Sequence, residues 1–286
     1  MAVQIKKAVK YGAKMRLALY GPSGSGKTYT ALKIGTEMAK KRILVIDSER
    51  GSASKYADIF DFDVIELQSF HPNSYVEAIK AASQSPDHDV LIIDSASQEW
   101  DGSSGALELA GHNFTNWAKV TPLHNAFVDT MLSVNMHLIV TMRAKEEHVM
   151  EKVEGKSKPD VRSVGIEPIQ RKGMVYEFDV VGSLDLDNVL TVAKTRCSEL
   201  QNKVFPRAGS EIAEVMIRWL DGVPAPITVK DVWEKCLAVG LVKSKSELFP
   251  YASEVLGFPV TAENVMSLEQ DYLKKIITST ETQKSA

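Results

Sequence analysis

The sequence predicts an α/β protein in which a mostly parallel central sheet is flanked by helices and followed by a small helical module. Three observations predict it. Short apolar runs alternate with longer segments of helical period, as in a sheet covered by helices. The runs Ile43-Leu44-Val45-Ile46 and Val90-Leu91-Ile92-Ile93 are apolar without alternation, so both of their faces must be buried, as in a parallel strand. The chain has 286 residues, 44% hydrophobic and 25% charged, which suffices for one large core with an appendage and rules out wholesale disorder.

The elements follow in order. A strand over residues 15–20 runs into a glycine-rich loop, and a helix over 27–40 leaves it. Strands are expected at 42–47, 62–67 and 90–94, with a helix over 74–83 that follows the turn His71-Pro72. A long helix over 115–134 leads to a strand at 137–142. Residues 145–172 then break the rhythm, with Gly155, Pro159, Gly165 and Pro168 among charges, and so long an irregular stretch is uncommon unless it is functional. Its flanks, 147–153 and 174–181, can pair as a long hairpin. A strand at 189–193 and a helix over 211–220 complete the core.

Asp221-Gly222-Val223-Pro224-Ala225-Pro226 reads as a linker, which divides the chain into a core (1–222), a connection (223–226) and a small helical module (227–286). Thr228-Val229-Lys230-Asp231 opens that module like a capping box. There are no internal repeats.

Charge and cysteine content exclude several classes. A net charge of −3 argues against indiscriminate coating of nucleic acid. Locally, residues 1–16 carry Lys6, Lys7, Lys10, Lys14 and Arg16 with no acid, and 143–172 hold eight basic against six acidic residues. Either stretch could follow a phosphate backbone or simply be a solvated surface. No apolar run approaches the ~18 residues of a membrane span. Cys197 and Cys236 are too few for a disulfide scaffold or a Cys-rich zinc site, and the six histidines lack metal-ligand spacing. The expectation is a cytoplasmic protein with no membrane partner.

The chemistry is carried by Gly21-Pro22-Ser23-Gly24-Ser25-Gly26-Lys27-Thr28, a match to G-x-x-x-x-G-K-[ST] between a strand and a helix. Glycines let backbone N–H groups curl around phosphates, and the following helix N-terminus adds positive potential. Lys27 would reach the β- and γ-phosphates, the Thr28 hydroxyl would bind Mg²⁺, and the nucleotide-binding segment extends to Tyr29. ATP and Mg²⁺ are therefore the expected cofactors. Asp94 ends a buried strand, where a second Mg²⁺ anchor belongs. Ser95 follows it, so the adjacent Asp-Glu pair of many motor ATPases is missing, and a water-positioning carboxylate must come from elsewhere. Glu49, in Ile46-Asp47-Ser48-Glu49, leaves the same edge of the sheet and fits that role; a solvated loop acid beside Arg50 is the other reading. Trp100 and Trp117 could stack bases or serve as packing anchors.

With these residues in place, the stretch 14–222 resembles the phage-encoded RecA-core ATP-binding proteins, including the Sak-type single-strand annealing group related to the RecA/Rad recombinases. The shared segments are GPSGSGKT, IDSERG, FHPNSYVEAI, LIIDSASQEW, LIVTMRAKEEH, YEFDVV and VAKTRC. The resemblance implies a RecA-like P-loop NTPase core and an ATPase acting on single-stranded DNA in phage recombination or replication, in the host cytoplasm. It implies that Thr141 and Arg143 belong to a polar sensor and that 145–172 takes the place of a DNA-facing loop and hairpin. Lys194 and Arg196 leave their strand as Lys-Thr-Arg, similar to the basic pair that such proteins insert into a neighbour's site, so hydrolysis would depend on a homo-oligomeric ring or filament.

The sequence has no clear equivalent of the polymerisation segment and longer DNA-binding region of full recombinases, which favours annealing or loading over strand exchange. The module 227–286 lies outside the resemblance and is left to recruit a single-strand-binding or replication partner. Two other classes remain open. One is a nucleotide-gated scaffold without turnover. The other is a small-molecule kinase with Arg162, Arg171 and Lys172 as a lid, for which no acceptor site is evident.

Overall fold

The computed structural model describes residues 12–151, 160–222 and 227–284. Lys6, Lys7, Lys10, Gly155, Pro159 and the linker at 223–226 lie outside the described residues. The chain divides into two compact units, Met1–Val223 and Pro224–Ala286.

The first unit is built on strands β1 (Arg16–Gly21), β2 (Arg42–Asp47), β3 (Phe62–Glu66), β4 (His88–Asp94), β5 (His137–Glu151), β6 (Asp160–Pro168), β7 (Val180–Leu184), β8 (Val189–Thr195) and β9 (Val204–Pro206). Their order across the sheet is β3-β2-β4-β5-β1-β7-β8-β9, with β6 paired to β5 off this path. From β3 to β7 every neighbouring pair is parallel; β8 and β9 close the far edge antiparallel.

The helices are α1 (Lys27–Met38), α2 (Pro72–Gln84), α3 (Ser97–Asp101), α4 (Ala106–Ala110), α5 (Trp117–Ser133) and α6 (Ser210–Asp221). Leu32 and Ile34 of α1 join Ile212 and Met216 of α6 in one apolar layer, and Tyr75 and Ile79 of α2 join Phe127 and Met131 of α5 in the other. The central strands are apolar on both faces because both faces are covered: Val90, Leu91, Ile92 and Ile93 are at most 1% exposed. Truncating such a side chain to alanine would cost roughly 2–5 kcal/mol.

This is the expected α/β core, a mostly parallel central sheet flanked by helices. The loop leaving β1 sits at the sheet's C-terminal edge, where β1 lies between β5 and β7 and successive connections diverge.

Three strand expectations are corrected. The hairpin arm is not 174–181: β5 runs on to Glu151 and pairs antiparallel with β6, Ala144 opposite Pro168 and Lys145 opposite Glu167. Residues 174–181 are not one strand. Gly173 at φ 97° turns the chain, Met174–Glu177 forms a 3-10 turn that buries Met174, and pairing with β1 begins at Val180. The alternation in Met174-Val175-Tyr176-Glu177-Phe178 mimics a strand, but it anchors a turn. The strand expected at 189–193 extends to Thr195, so Lys194 lies inside β8 rather than beyond it.

The second unit packs α7 (Val229–Ala238), α8 (Lys245–Leu256) and α9 (Gln270–Lys284) around Val232, Cys236, Leu248, Leu273 and Ile276. Thr228 and Asp231 form the reciprocal capping box, and those hydrogen bonds hold the Asp231 carboxyl below its ordinary range. Among the described residues, no helix is long and apolar enough to cross a membrane.

Candidate functional site

The loop between β1 and α1 is shaped by its glycines. A Cβ on Gly21 would collide with the Leu184 carbonyl, and Gly24 and Gly26 adopt φ of 84° and 79°. Lys27 Nζ donates to the carbonyls of Gly21 at 3.0 Å and Pro22 at 2.7 Å, which folds the ammonium over the loop. Burial lowers its pKa, and the charges of Asp94 and Glu49 act against that shift.

Parallel pairing brings the remaining groups to the same edge. Thr28 Oγ1, in the first turn of α1, donates to Asp94 Oδ2 at 2.7 Å, and Thr141 Oγ1, on β5, donates to Asp94 Oδ1. Asp94 is 2% exposed. Burial pushes its carboxyl above the ordinary carboxylate range, the two hydroxyls pull it back, and the charge of Glu49 pushes it up further. The Asp94–Ser95 peptide is cis.

Glu49 is placed by Asp47, whose Oδ1 accepts the Glu49 amide at 2.6 Å while Oδ2 accepts that of Ala53 at 3.0 Å. The Glu49 carboxylate accepts from Ser95 Oγ at 2.8 Å and takes two donors from Arg143, Nε at 3.0 Å and Nη2. This ion pair raises the Arg143 pKa, the hydrogen bond to Glu49 being the main cause. Ser48 Oγ bridges the Ser95 amide and carbonyl, both at 2.9 Å, and Tyr75 Oη donates to that carbonyl at 3.0 Å.

Lys27, Thr28, Glu49, Asp94 and Arg143 line a cavity of about 310 Å³. A second cavity of about 550 Å³, bounded by Tyr29, Lys33, Asn188 and Arg207, shares Gly24, Gly26 and Tyr56 with it. Tyr29 meets the rings of Tyr56 and Phe60 edge-on at 5.8 and 5.2 Å.

The implied cofactors fit what is present. Ser25 Oγ is buried in the loop with no hydrogen-bond partner, an orphaned group of the kind that a phosphate oxygen satisfies. Thr28 and Asp94 offer two adjacent oxygens, the donor set a hard cation such as Mg²⁺ prefers.

The expected residues do not all converge. Gly21 to Tyr29, Glu49, Asp94 and Thr141 gather at this edge. Lys194 and Arg196 do not. Arg196 N donates to Asp179 O and Asp179 N to Arg16 O, each at 2.8 Å, which sets Arg196 level with the start of β1, opposite the phosphate loop. Arg196 Nη1 pairs with Asp179 at 3.1 Å. Lys194 Nζ is turned onto the carbonyls of Val175, Tyr176 and Phe178, capping the 3-10 turn. Trp100 and Trp117 lie against one another at 5.6 Å over Ala106, Ala110 and Val120, in the packing role.

Sequence reasoning missed the pairing of Arg143 with Glu49, the Asp47 and Ser48 supports, and the Asn188–Arg207 wall. The positions of Asp47 and Ser48 beside Glu49 were a local signal, whereas the others depend on strand register.

A family model described as an AAA domain matches residues 13–204. Among solved structures the chain is similar to the RadB recombinase, at 14% identity over 67% of this chain and 88% of that one, with a TM-score of 0.41. It is also similar to a second solved structure, described as an ATPase domain, at 12% identity over 66% of this chain and 78% of that one, with a TM-score of 0.40. No curated protein matches it.

Proposed function

The chain belongs to the AAA-domain family across residues 13–204, and from that premise we propose that it is a Mg²⁺-dependent ATPase acting on single-stranded DNA, with hydrolysis completed by assembly. The observation that carries this reading is the meeting of Thr28, Asp94 and Glu49 around one cavity beside the phosphate loop. Bound MgATP supplies the γ-phosphoryl group. Lys27 and the loop amides would hold its phosphates, and Thr28 and Asp94 its cation. Glu49 would orient the attacking water and take its proton.

Within one chain Arg196 lies at the opposite end of β1 from this cavity, so a transition-state role for it would have to be played at a neighbour's site in a ring or filament. The resemblance to phage annealing proteins supports a role in phage recombination or replication, as annealing or loading, in the host cytoplasm. The unit Pro224–Ala286 is then the part left to engage a replication or single-strand-binding partner.

The test is steady-state ATP hydrolysis with and without single-stranded DNA, at low salt, across a protein-concentration series. Turnover that rises with DNA, and more than linearly with protein, is expected. Turnover indifferent to both would remove the trans-acting arginine and the DNA coupling together.

One observation favours a second reading. The Glu49 carboxylate already accepts three hydrogen bonds from Ser95 and Arg143, a resting arrangement that suits a nucleotide-gated scaffold. Tight ATP binding without turnover, unchanged in Glu49→Gln, would put that reading first.

A further inference from the structure

Beneath the segment that follows Asp94 lies a buried polar cluster that the phosphate chemistry does not use. Glu99 is 0% exposed, His124 3% and Gln170 8%. His124 Nδ1 lies 3.1 and 3.2 Å from the two carboxylate oxygens of Glu99. Gln170 Nε2 donates to Glu99 Oε2 at 3.1 Å and to the Ala96 carbonyl at 3.0 Å, while its Oε1 accepts the Arg171 amide at 2.6 Å. Both ends of the Gln170 amide are engaged, as burial requires.

The two roots of the β5–β6 hairpin are bonded to the same segment. Arg143 N donates to Ser97 Oγ at 2.9 Å, Ser97 Oγ donates to Ile169 O at 2.7 Å, and Ile169 N closes the ring on Arg143 O at 2.7 Å. Residues 95–99 therefore carry the hydroxyl that holds Glu49 at one end and the carboxylate that holds Gln170 at the other.

We infer that Gln170 is a positioning residue for the phosphate site: it locks segment 95–99 to the returning root of the hairpin, so the setting of Glu49 and Arg143 follows the hairpin's position. The inference rests on the nucleotide reading above. A close-packed, fully bonded junction cannot deform gradually, so displacement of Ile169–Gln170 must be passed to Ala96 and Ser97 or break the bonds. A ligand that repositions the hairpin then alters how Glu49 is held, and nucleotide binding is felt at the hairpin in return.

The test is amide hydrogen exchange by mass spectrometry on the full chain, with and without Mg²⁺ and the non-hydrolysable analogue AMP-PNP. In the wild type, nucleotide should protect the phosphate-loop amides and change exchange at 144–146 and 165–167 by about threefold or more. Gln170→Ala should keep the loop protection and lose the hairpin response. Gln170→Glu, which sets a carboxylate against Glu99, should do the same, and the double variant Glu99→Gln/Gln170→Glu should recover the response. If Gln170→Ala does not fold, the single and double charge-exchange variants decide.

A hairpin response of wild-type size in both single variants, or none in a wild type whose loop is protected, overturns the inference. A wild type whose phosphate loop gains no protection overturns the nucleotide reading, and this inference with it.

Discussion

Thr28 Oγ1 and Asp94 Oδ2 lie 2.7 Å apart across 66 residues of sequence, one at the head of α1 and the other at the end of β4. Their meeting joins the glycine-rich loop to the carboxylate proposed to hold the cation, and it depends on parallel pairing, which gathers the C-terminal strand ends at one edge. Asp94 is costly there. Its raised pKa means that the folded protein holds the proton more tightly than the unfolded chain, so the ligand-free fold loses stability as pH rises from the ordinary value of 3.8 through the folded value.

Asp94→Asn should therefore melt at a higher temperature than wild type at pH 7 without ligand. It should also lose the Mg²⁺-dependent part of nucleotide affinity, about tenfold or more. Thermal melts across pH, with and without MgATP, check both halves. A ligand-free variant less stable than wild type at pH 7 would show that the two hydroxyl bonds outweigh the desolvation of the carboxylate.

Glu49 is held by Ser95 and Arg143 and lines the same cavity as Lys27 and Thr28, and the proposed function makes it the base that activates water. Glu49→Gln keeps the shape of the side chain and removes its basicity. Single-turnover hydrolysis should fall by about 10²- to 10⁴-fold, the range of a lost general base, while nucleotide affinity stays within about twofold. A parallel loss of affinity would mean that the residue binds rather than activates.

The sequence makes some of this legible and hides the rest for physical reasons. Gly21 to Thr28 and Asp94 are readable because backbone cradles and buried strand ends demand particular residues locally. Glu49 is readable from its position two residues beyond a buried strand. Its partner Arg143 is not, because Gly21 and Arg143 become neighbours only through the β1–β5 register. The hairpin arm is hidden for a similar reason. Residues 174–178 alternate like a strand, yet the turn at Gly173 and the carbonyls capped by Lys194 take them out of the sheet.

His137 gives a pH dependence away from the site. Burial and the charge of Lys14 lower its pKa from 6.5 to about 4, and its Nδ1 accepts the Met15 amide at 3.2 Å, which requires that nitrogen to be unprotonated. Between those two values the unfolded chain binds the extra proton and the folded one does not. Stability should fall as pH drops from 6.5 toward 4, by about 2 kcal/mol once partial solvent access is allowed for. Denaturant melts at pH 7 and pH 5 should show the loss, and His137→Gln should flatten it. An equal loss in the variant would assign the effect to other groups.

Arg196 offers the sharpest test of assembly. It lies level with Arg16, and the six residues of β1 set it roughly 17 Å from the loop that follows Gly21. Its own chain's phosphate site is out of reach. Its bond to Asp179 joins a guanidinium 56% exposed to a carboxylate 13% exposed, and on release Asp179 keeps the Arg16 amide at 3.1 Å. Lys194 is held more firmly, by three carbonyls, and burial lowers its pKa. Of the two, Arg196 is the more exposed, and it is the one the proposed function assigns to a neighbour's site. Arg196→Ala should bind ATP and assemble but hydrolyse about 10³-fold more slowly. Lys27→Ala should be inactive for the opposite reason, because its own site cannot hold the phosphates while its arginine is intact. Mixed in equal amounts, the two inactive variants should recover a measurable fraction of wild-type turnover, since an intact site then meets an intact arginine at some interfaces. Wild-type rates in Arg196→Ala alone, or a mixture as inactive as its components under conditions where wild type assembles, would place the transition-state charge elsewhere.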